Sequence, residues 1–309
     1  MYKNTVIIIL ILVVITLIIV NQIIEPFTNI KLAIHTVFII DENALFLEEW
    51  INYHLDLGFD EIYLYDNTGS IGRNGSSTTI NKYNINFTEI NNEKYVADIK
   101  SIIEENPHVH YITWQPKDEN NNIVYGYNKS VNNYITKYGS NNDWTAFIDV
   151  DEYIYLNNGN LKQYIQDKAE NHNKIIIKQR KYEERYCNLD KSIRDIDSFI
   201  DVNTDGWAPK NICKNINLNE MQSKHNMHGI HMSNEKAYYS DVKELRFNHY
   251  NVNKKQVKWM HGFLKTGNKP FKIIKDTQPL PKSNRTILPK KYNKKYYEEN
   301  RHKFCADIF

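Results

Sequence analysis

The chain opens on a stretch unlike any other part of it. From Val6 to Ile24 run 19 residues without a charge, and Thr16, Asn21 and Gln22 are their only polar members. As a helix that run measures about 28 Å, close to the hydrocarbon thickness of a bilayer. A cleaved signal peptide has a shorter apolar core and a small-residue cleavage site, which the flank NQIIEPFTN lacks. Residues 1–25 are therefore expected to be an uncleaved membrane anchor. Lys3 on its short side favours a cytoplasmic N-terminus, with the rest of the chain on the other side of the membrane.

After a short stem at 26–31 the periodicity changes. Leu32 to Ile40 is a β-branched apolar run that predicts a buried strand. In ALFLEEWINYHLDLG, Leu47, Trp50, Ile51, His54 and Leu55 recur at helical spacing, and Gly58 is a natural C-terminal stop. EIYLYDN follows as a second strand ending in turn residues. Strand, helix and strand in that order predict a parallel βαβ unit. From Asn67 to Asn92 the chain is polar, with Gly69, Gly72 and Gly75 set among Ser, Asn and Thr, and it reads as a mobile surface segment. Those glycines lack the GxxxxGK[ST] spacing of a phosphate loop. A strand over Val109 to Gln115, a helix from about Tyr125 to Tyr138 and a strand over WTAFIDVDEYIYL continue the alternation, so the first half predicts an open α/β sheet. Beyond Lys174 the pattern is IIIKQ, then a polar tract to about Asn219 that reads as mostly loop, with Trp207 its one large anchor. ELRFNHYNV reads as a strand and KKQVKWMHGFLK as a helix, before a basic tail. There is no internal repeat.

Composition narrows the partners. The 39 basic and 37 acidic residues nearly cancel at +2, which suggests no nucleic-acid channel and no polyanionic tail. Cys187, Cys213 and Cys305 form no CxxC pair, so a structural zinc site is not expected. A Cys187–Cys213 disulfide and buried free thiols both remain open.

The decapeptide FIDVDEYIYL carries the most chemistry. Read as a strand, it places Asp149 and Asp151 two residues apart and so on one face, with Glu152 following. Two adjacent carboxylates repel unless a cation lies between them, and their oxygens suit Mg2+ or Mn2+. A divalent ion held there would neutralise a leaving diphosphate. Open α/β sheets collect ligands outside the carboxyl ends of their strands, where this strand ends. The competing reading is a surface turn, in which Asp is common for its hydrogen bonding.

ALFLEEWINYHLDLGFDEIYLYDN, then GYN at 126–128, WTAFIDVDEYI and FNHY at 247–250 together resemble glycosyltransferase family 92 and its family-2-like relatives. The resemblance covers much of 41–155 and, more thinly, 245–265. It implies a GT-A fold, a Rossmann-like open mixed sheet, and inverting transfer of a hexose from a nucleotide sugar, with uridine diphosphate as the expected carrier. It divides the chain into a donor half at about 32–155 and an acceptor half at about 156–309. Asp149 and Asp151 match the DxD motif, Asp151 as the direct metal ligand, and His249 matches a late histidine that completes the site for Mn2+ or Mg2+. Asp66 matches a contact to the base or ribose, and Tyr127 and Asn128 match a pair lining the donor. Relatives show a basic residue, Asn or Asp, and then Glu before the first helix. This chain has Asp41, Glu42 and Asn43 there, with Glu42 the candidate donor-side contact.

His228 and His231, in MHGIHM, are rival ligands or acceptor contacts, whereas His54 shares a helix face with Trp50 and reads as packing. Inverting transfer needs a base for the acceptor hydroxyl, and Glu183, Glu184 and Asp205 are the second-half candidates. Arg180 and Lys210 are cations that could meet a diphosphate. The expected protein is a single-pass type II membrane glycosyltransferase acting on a glycan or glycoprotein, facing a Golgi or ER lumen or the equivalent viral or host compartment. The alternative is a membrane-anchored carbohydrate-binding protein with an inactive GT-A fold. A sugar-1-phosphate nucleotidyltransferase is disfavoured, because no glycine-rich loop with a following Arg or Lys stands near the first strand.

Overall fold

The computed structural model describes residues 30–70, 97, 100–101, 103–182, 198–201, 208–218, 225–226, 228–250 and 272–275. The apolar run at 6–24, the polar stretch from 71 to 92 and the helix expected in KKQVKWMHGFLK lie outside them. Among the described residues no helix is long and apolar enough to cross a membrane.

The expected βαβ unit is present. β1 (Leu32–Phe38) is buried along its whole length, as a strand covered on both faces must be. α1 (Ile40–Leu57) begins a few residues before the apolar periodicity does and stops at Gly58, whose φ of 115° is left-handed and whose N–H reaches His54 O and Leu55 O. β2 (Glu61–Asp66) then pairs parallel to β1, Ala33 opposite Glu61 through Phe38 opposite Asp66. β3 (Val109–Thr113) adds parallel to β2, and β4 (Trp144–Phe147) lies parallel on the other side of β1. The expected helix before β4 is α2 (Tyr127–Tyr138).

Alternation along β1 feeds two cores. Leu32, Ile34 and Phe38 pack with Leu47, Trp50, Ile51 and Leu55 of α1, whereas Ala33 and Val37 pack with Tyr127, Val131 and Tyr134 of α2. The sheet is thus sandwiched between α1 and α2, and the carboxyl ends of β1, β2 and β4 open along one edge.

Two expectations from the sequence need correction. WTAFIDVDEYIYL is not one strand: β4 stops at Phe147, Asp149 to Asp151 form a turn, and β5 (Glu152–Leu156) starts a new pairing. Asp149 N–H donates to Glu152 Oε2 (2.9 Å) and Glu152 N–H donates to Asp149 O (3.0 Å), which closes the turn. Asp149 and Asp151 therefore do not share a strand face. Nor is the polar tract that follows IIIKQ mostly loop among its described residues, although 183–197 and 202–207 lie outside them. β6 (Lys174–Tyr182), β7 (Ser198–Asp201) and β8 (Lys210–Lys214) are strands there, and β8 sits antiparallel between β4 and β6. The segment KNICK has only two apolar residues, so its burial comes from its neighbours and not from its own pattern.

α3 (Leu161–Ala169) follows β5, with Asn160 accepting from Gln163 N–H as its cap. β6 links two regions: Lys174 to Ile177 pair with β8, while Lys178 to Tyr182 pair parallel to β10 (Leu245–Tyr250). β9 (Ala237–Tyr239) also pairs with β6, and β11 (Lys272–Lys275) with β7. β10 pairs antiparallel with β5, placing His249 opposite Glu152. Cys213 in β8 is a buried free thiol whose pKa burial pushes up to about 12, and Cys187, its candidate disulfide partner, lies outside the described residues.

Candidate metal and nucleotide site

Three side chains of α1 hold β5 in place along the edge that β10 leaves open. Trp50 Nε1 donates to Glu152 O (2.8 Å) and Tyr53 O–H to Ile154 O (2.7 Å). His54 Nδ1 faces Trp50 O at 2.8 Å and so carries the proton, which leaves Nε2 to accept from Ile154 N–H at 3.3 Å. His54 is fully buried, and burial lowers its pKa to about 3, so the neutral tautomer these bonds require is the one present. His54 is packing, as its helix face predicts, and it also fixes the strand that carries Glu152.

From that fixed strand the turn delivers its carboxylates in different directions. Asp149 Oδ2 accepts from Lys210 Nζ at 2.8 Å, and Glu152 Oε2 lies 3.1 Å from the same ammonium. On the other side Asp151 Oδ2 is 3.3 Å from His249 Nε2, and Glu152 Oε1 is 3.9 Å from His249 Nδ1. Gln179 Oε1 also approaches His249 Nδ1, at 3.4 Å. Asp151, Glu152 and His249 each offer a ligand atom, all within 4.8 Å of one another. The structure thus groups Asp151 with His249, brings in Glu152, and turns Asp149 to Lys210.

Burial raises the Glu152 carboxyl to about 7, with Lys210 and His249 pulling it down and Asp149 and Asp151 pushing it further up. Lys210 is itself fully buried. Burial opposes its charge, but Asp149 and Glu152 outweigh that and raise its pKa. Asp149 and Glu152 therefore share one buried ammonium, while Asp151, Glu152 and His249 form a group with the ligand types and spacing of a cation site. Two carboxylates and an imidazole suit Mn2+ better than Mg2+, because Mg2+ prefers oxygen throughout.

The remaining predicted residues lie around this turn or outside the described part. Asp66, at the carboxyl end of β2, is buried. Its carboxylate accepts from Thr68 N–H (2.9 Å), the Thr68 hydroxyl and the Tyr111 hydroxyl. Tyr127 opens α2 with a buried hydroxyl that has no hydrogen-bond partner among the described residues. Burial, then the charge of Asp149, raises its pKa well above the usual value. Asn128, next to it, is exposed. Glu42 lies in the first turn of α1 with its side chain outside the described residues, as are Glu183, Glu184 and Asp205 entirely.

Of the two rival histidines, His228 is the one within electrostatic reach of the cluster. Asn226 and Gly229 exchange two backbone hydrogen bonds around the tip that carries the His228 ring, and His228 N–H donates to Asn226 Oδ1 (2.9 Å). Desolvation of that ring, then the Lys210 and His249 charges, lower its pKa. His231 instead donates its backbone N–H to His225 Nδ1 (3.1 Å). Glu152 and Lys210 are the residues whose place in the cluster the sequence did not reveal. Glu152 follows the motif directly, which is a signal; Lys210 sits in a strand with no apolar pattern, which gives none.

No family model matches the chain, and no curated protein matches it. Among solved structures it is similar to S. aureus TarS residues 1–349, at 12% identity over 88% of this chain and 71% of that one, with a TM-score of 0.36. The same TarS fragment in complex with UDP matches at 13% identity with the same coverage and TM-score. Neither likeness is close enough to carry an argument about activity.

Proposed function

We propose that the chain is a metal-dependent glycosyltransferase of GT-A type that binds a nucleotide sugar, with UDP as the expected carrier, at the carboxyl edge of β1, β2 and β4. The observation that carries the reading is the cluster of Asp151, Glu152 and His249 at that edge, with ligand atoms within 4.8 Å of one another. Its support from sequence is the ordered set of blocks that ends in FNHY at 247–250. In this reading the three residues hold Mn2+ or Mg2+, and the ion, when bound, offsets the charge of the departing diphosphate. Asp66 sits at the end of β2, where the nucleoside would lie, and Tyr127 offers a buried hydroxyl beside Asp149.

The finer assignments complete the proposal. The transferred group is a hexose and the acceptor a glycan or glycoprotein. Transfer inverts the anomeric carbon, with the base among Glu183, Glu184 and Asp205. The run at 6–24 anchors the chain as a type II membrane protein, which a carbonate wash checks: the full chain should stay in the membrane pellet, and release into the supernatant would remove the anchor.

The test of the reading is donor screening by thermal shift on the full chain in detergent, with a panel of nucleotides and nucleotide sugars. A uridine diphosphate sugar should raise the melting temperature in Mn2+ and fail to do so in chelator. An equal shift in chelator would remove the metal from the account, and no shift with any nucleotide would remove the donor.

A further inference from the structure

The proposed anchor leaves little slack before the fold begins. From Ile24, the last residue of the uncharged run, to Lys31, just before β1, the chain spans at most about 25 Å fully extended. Lys31 N–H donates to Asp143 Oδ2 (2.7 Å), and Lys31 O accepts from Asp143 N–H (2.9 Å) and Trp144 N–H (3.2 Å). Asp143 O in turn accepts from Asn215 N–H (2.8 Å). The incoming chain is thus bonded, through Asp143, to the 3-10 turn Asn215–Asn217 that follows β8. That turn stands at the end of the sheet where β1 and β4 begin, because β8 runs antiparallel to β4 with Lys214 opposite Trp144. There Ile216 is 85% exposed. A single exposed isoleucine is ordinary on a protein surface. This one is held out by a fixed turn: the buried Asn215 side chain accepts from Thr145 Oγ1 (2.8 Å) and donates to Gly139 O (2.9 Å). Lys214 precedes the turn, and Lys137 is exposed in the last turn of α2, two residues before Gly139. Acids accompany these cations: Glu61 lies 3.0 Å from Lys31 Nζ, and Asp143 holds the Lys31 N–H.

We propose that this amino-terminal end of the sheet, with Ile216 at its tip, is the face the protein lays on the lipid bilayer, so that the cluster of Asp151, Glu152 and His249 faces away from the membrane. The inference rests on the anchor reading above. An apolar side chain flanked by lysines suits an interfacial contact: isoleucine enters the boundary between head groups and acyl chains, while lysine stems reach lipid phosphates. The tether makes the contact intramolecular, so an interaction too weak to bind a bilayer alone is populated. Because Glu61 and Asp143 stand among the lysines, the face suits zwitterionic lipid. A strand rises about 3.3 Å per residue, so the carboxyl end of β1 stands about 20 Å beyond its amino end. An acceptor that reaches the cluster then has to stand clear of the head groups, as a glycan on an extended or soluble carrier does.

The test is photocrosslinking of the full chain reconstituted in phosphatidylcholine vesicles. Benzoylphenylalanine replaces Ile216 or, as the control, Asn120, which is exposed in the loop beyond the carboxyl end of β3. Lipid adducts, read by mass spectrometry, should form at position 216 with at least about fivefold the yield at 120. Should the probe at 216 prevent folding, Lys137 carries it instead, with the same expectation. No lipid adduct on that face, or equal yields at the two ends of the sheet, would overturn the proposal. Crosslinks from 216 to a second copy of the chain in place of lipid would overturn it in favour of a protein interface. A chain that fails to float with the vesicles would instead refute the anchor itself, and this inference with it.

Discussion

Two buried polar clusters meet at β5 and are built on opposite principles. Behind the strand, Trp50, Tyr53 and His54 satisfy the backbone of Glu152 and Ile154 with three neutral hydrogen bonds, and none of the three side chains is charged. In front of it, Asp149 and Glu152 share a single buried ammonium, and Asp151 lies against His249. The first cluster is complete without a ligand and serves as scaffold. The second gathers ionisable groups, and Asp151, Glu152 and His249 hold their ligand atoms within 4.8 Å of one another on that scaffold, as a cation site requires.

The largest effect that would sharpen the contrast comes from the scaffold. His54→Leu removes the acceptor for Ile154 N–H and the donor to Trp50 O in a fully buried position, and should cost about 2–4 kcal/mol of stability in urea denaturation. Mn2+ affinity of the folded fraction should change little. An unchanged denaturation midpoint would mean that β5 is held by something else.

Acid should act on the same region. Burial lowers both His35 and His54 to about 3. His35 is enclosed by Tyr65, Tyr127, Tyr134 and Phe147, and its Nε2 lies 3.1 Å from Ser130 Oγ. A histidine whose folded pKa is depressed is protonated first in the unfolded chain, so its contribution is present above about 6.5 and is lost as pH falls towards 3. Each of the two should remove about 1.4 kcal/mol per pH unit within that window. Denaturation curves at pH 7, 6, 5 and 4 check this, and equal stability at all four would contradict the burial argument.

The smallest stability effect is expected at Tyr127. Its hydroxyl is buried without a partner among the described residues, so Tyr127→Phe should leave stability unchanged or raise it by less than about 1 kcal/mol. Weakening of UDP binding by about threefold to tenfold, measured by calorimetry, would mark the hydroxyl as a ligand contact. Unchanged UDP affinity would return it to the core.

How far the sequence could be read follows the same division. The parallel half was legible because β1, α1 and β2 carry their own periodicity and α1 ends on Gly58, whose left-handed φ suits glycine. His54 was read as packing for the same reason. The site was only half legible. FIDVDEYIYL marks the acids, but a strand pattern hides the turn that sends Asp149 and Asp151 different ways, because that turn is closed by the Glu152 side chain rather than by Gly or Pro. Lys210 was invisible as the partner of Asp149, since a buried lysine in KNICK looks like an exposed one until the strands on either side are known. The pairing of His249 with Asp151, 98 residues apart, could be anticipated only from the FNHY resemblance; the register of β10 on β5 supplies its geometry.

The central claim is that the cation sits on Asp151, Glu152 and His249 while Asp149 belongs to Lys210. Mn2+ titrations of Asp151→Asn and Asp149→Asn, run side by side on the full chain, test it most directly. The account predicts that Asp151→Asn weakens Mn2+ binding by about 100-fold or more, whereas Asp149→Asn stays within about tenfold of wild type. The reverse order, or equal losses in the two variants, would contradict it.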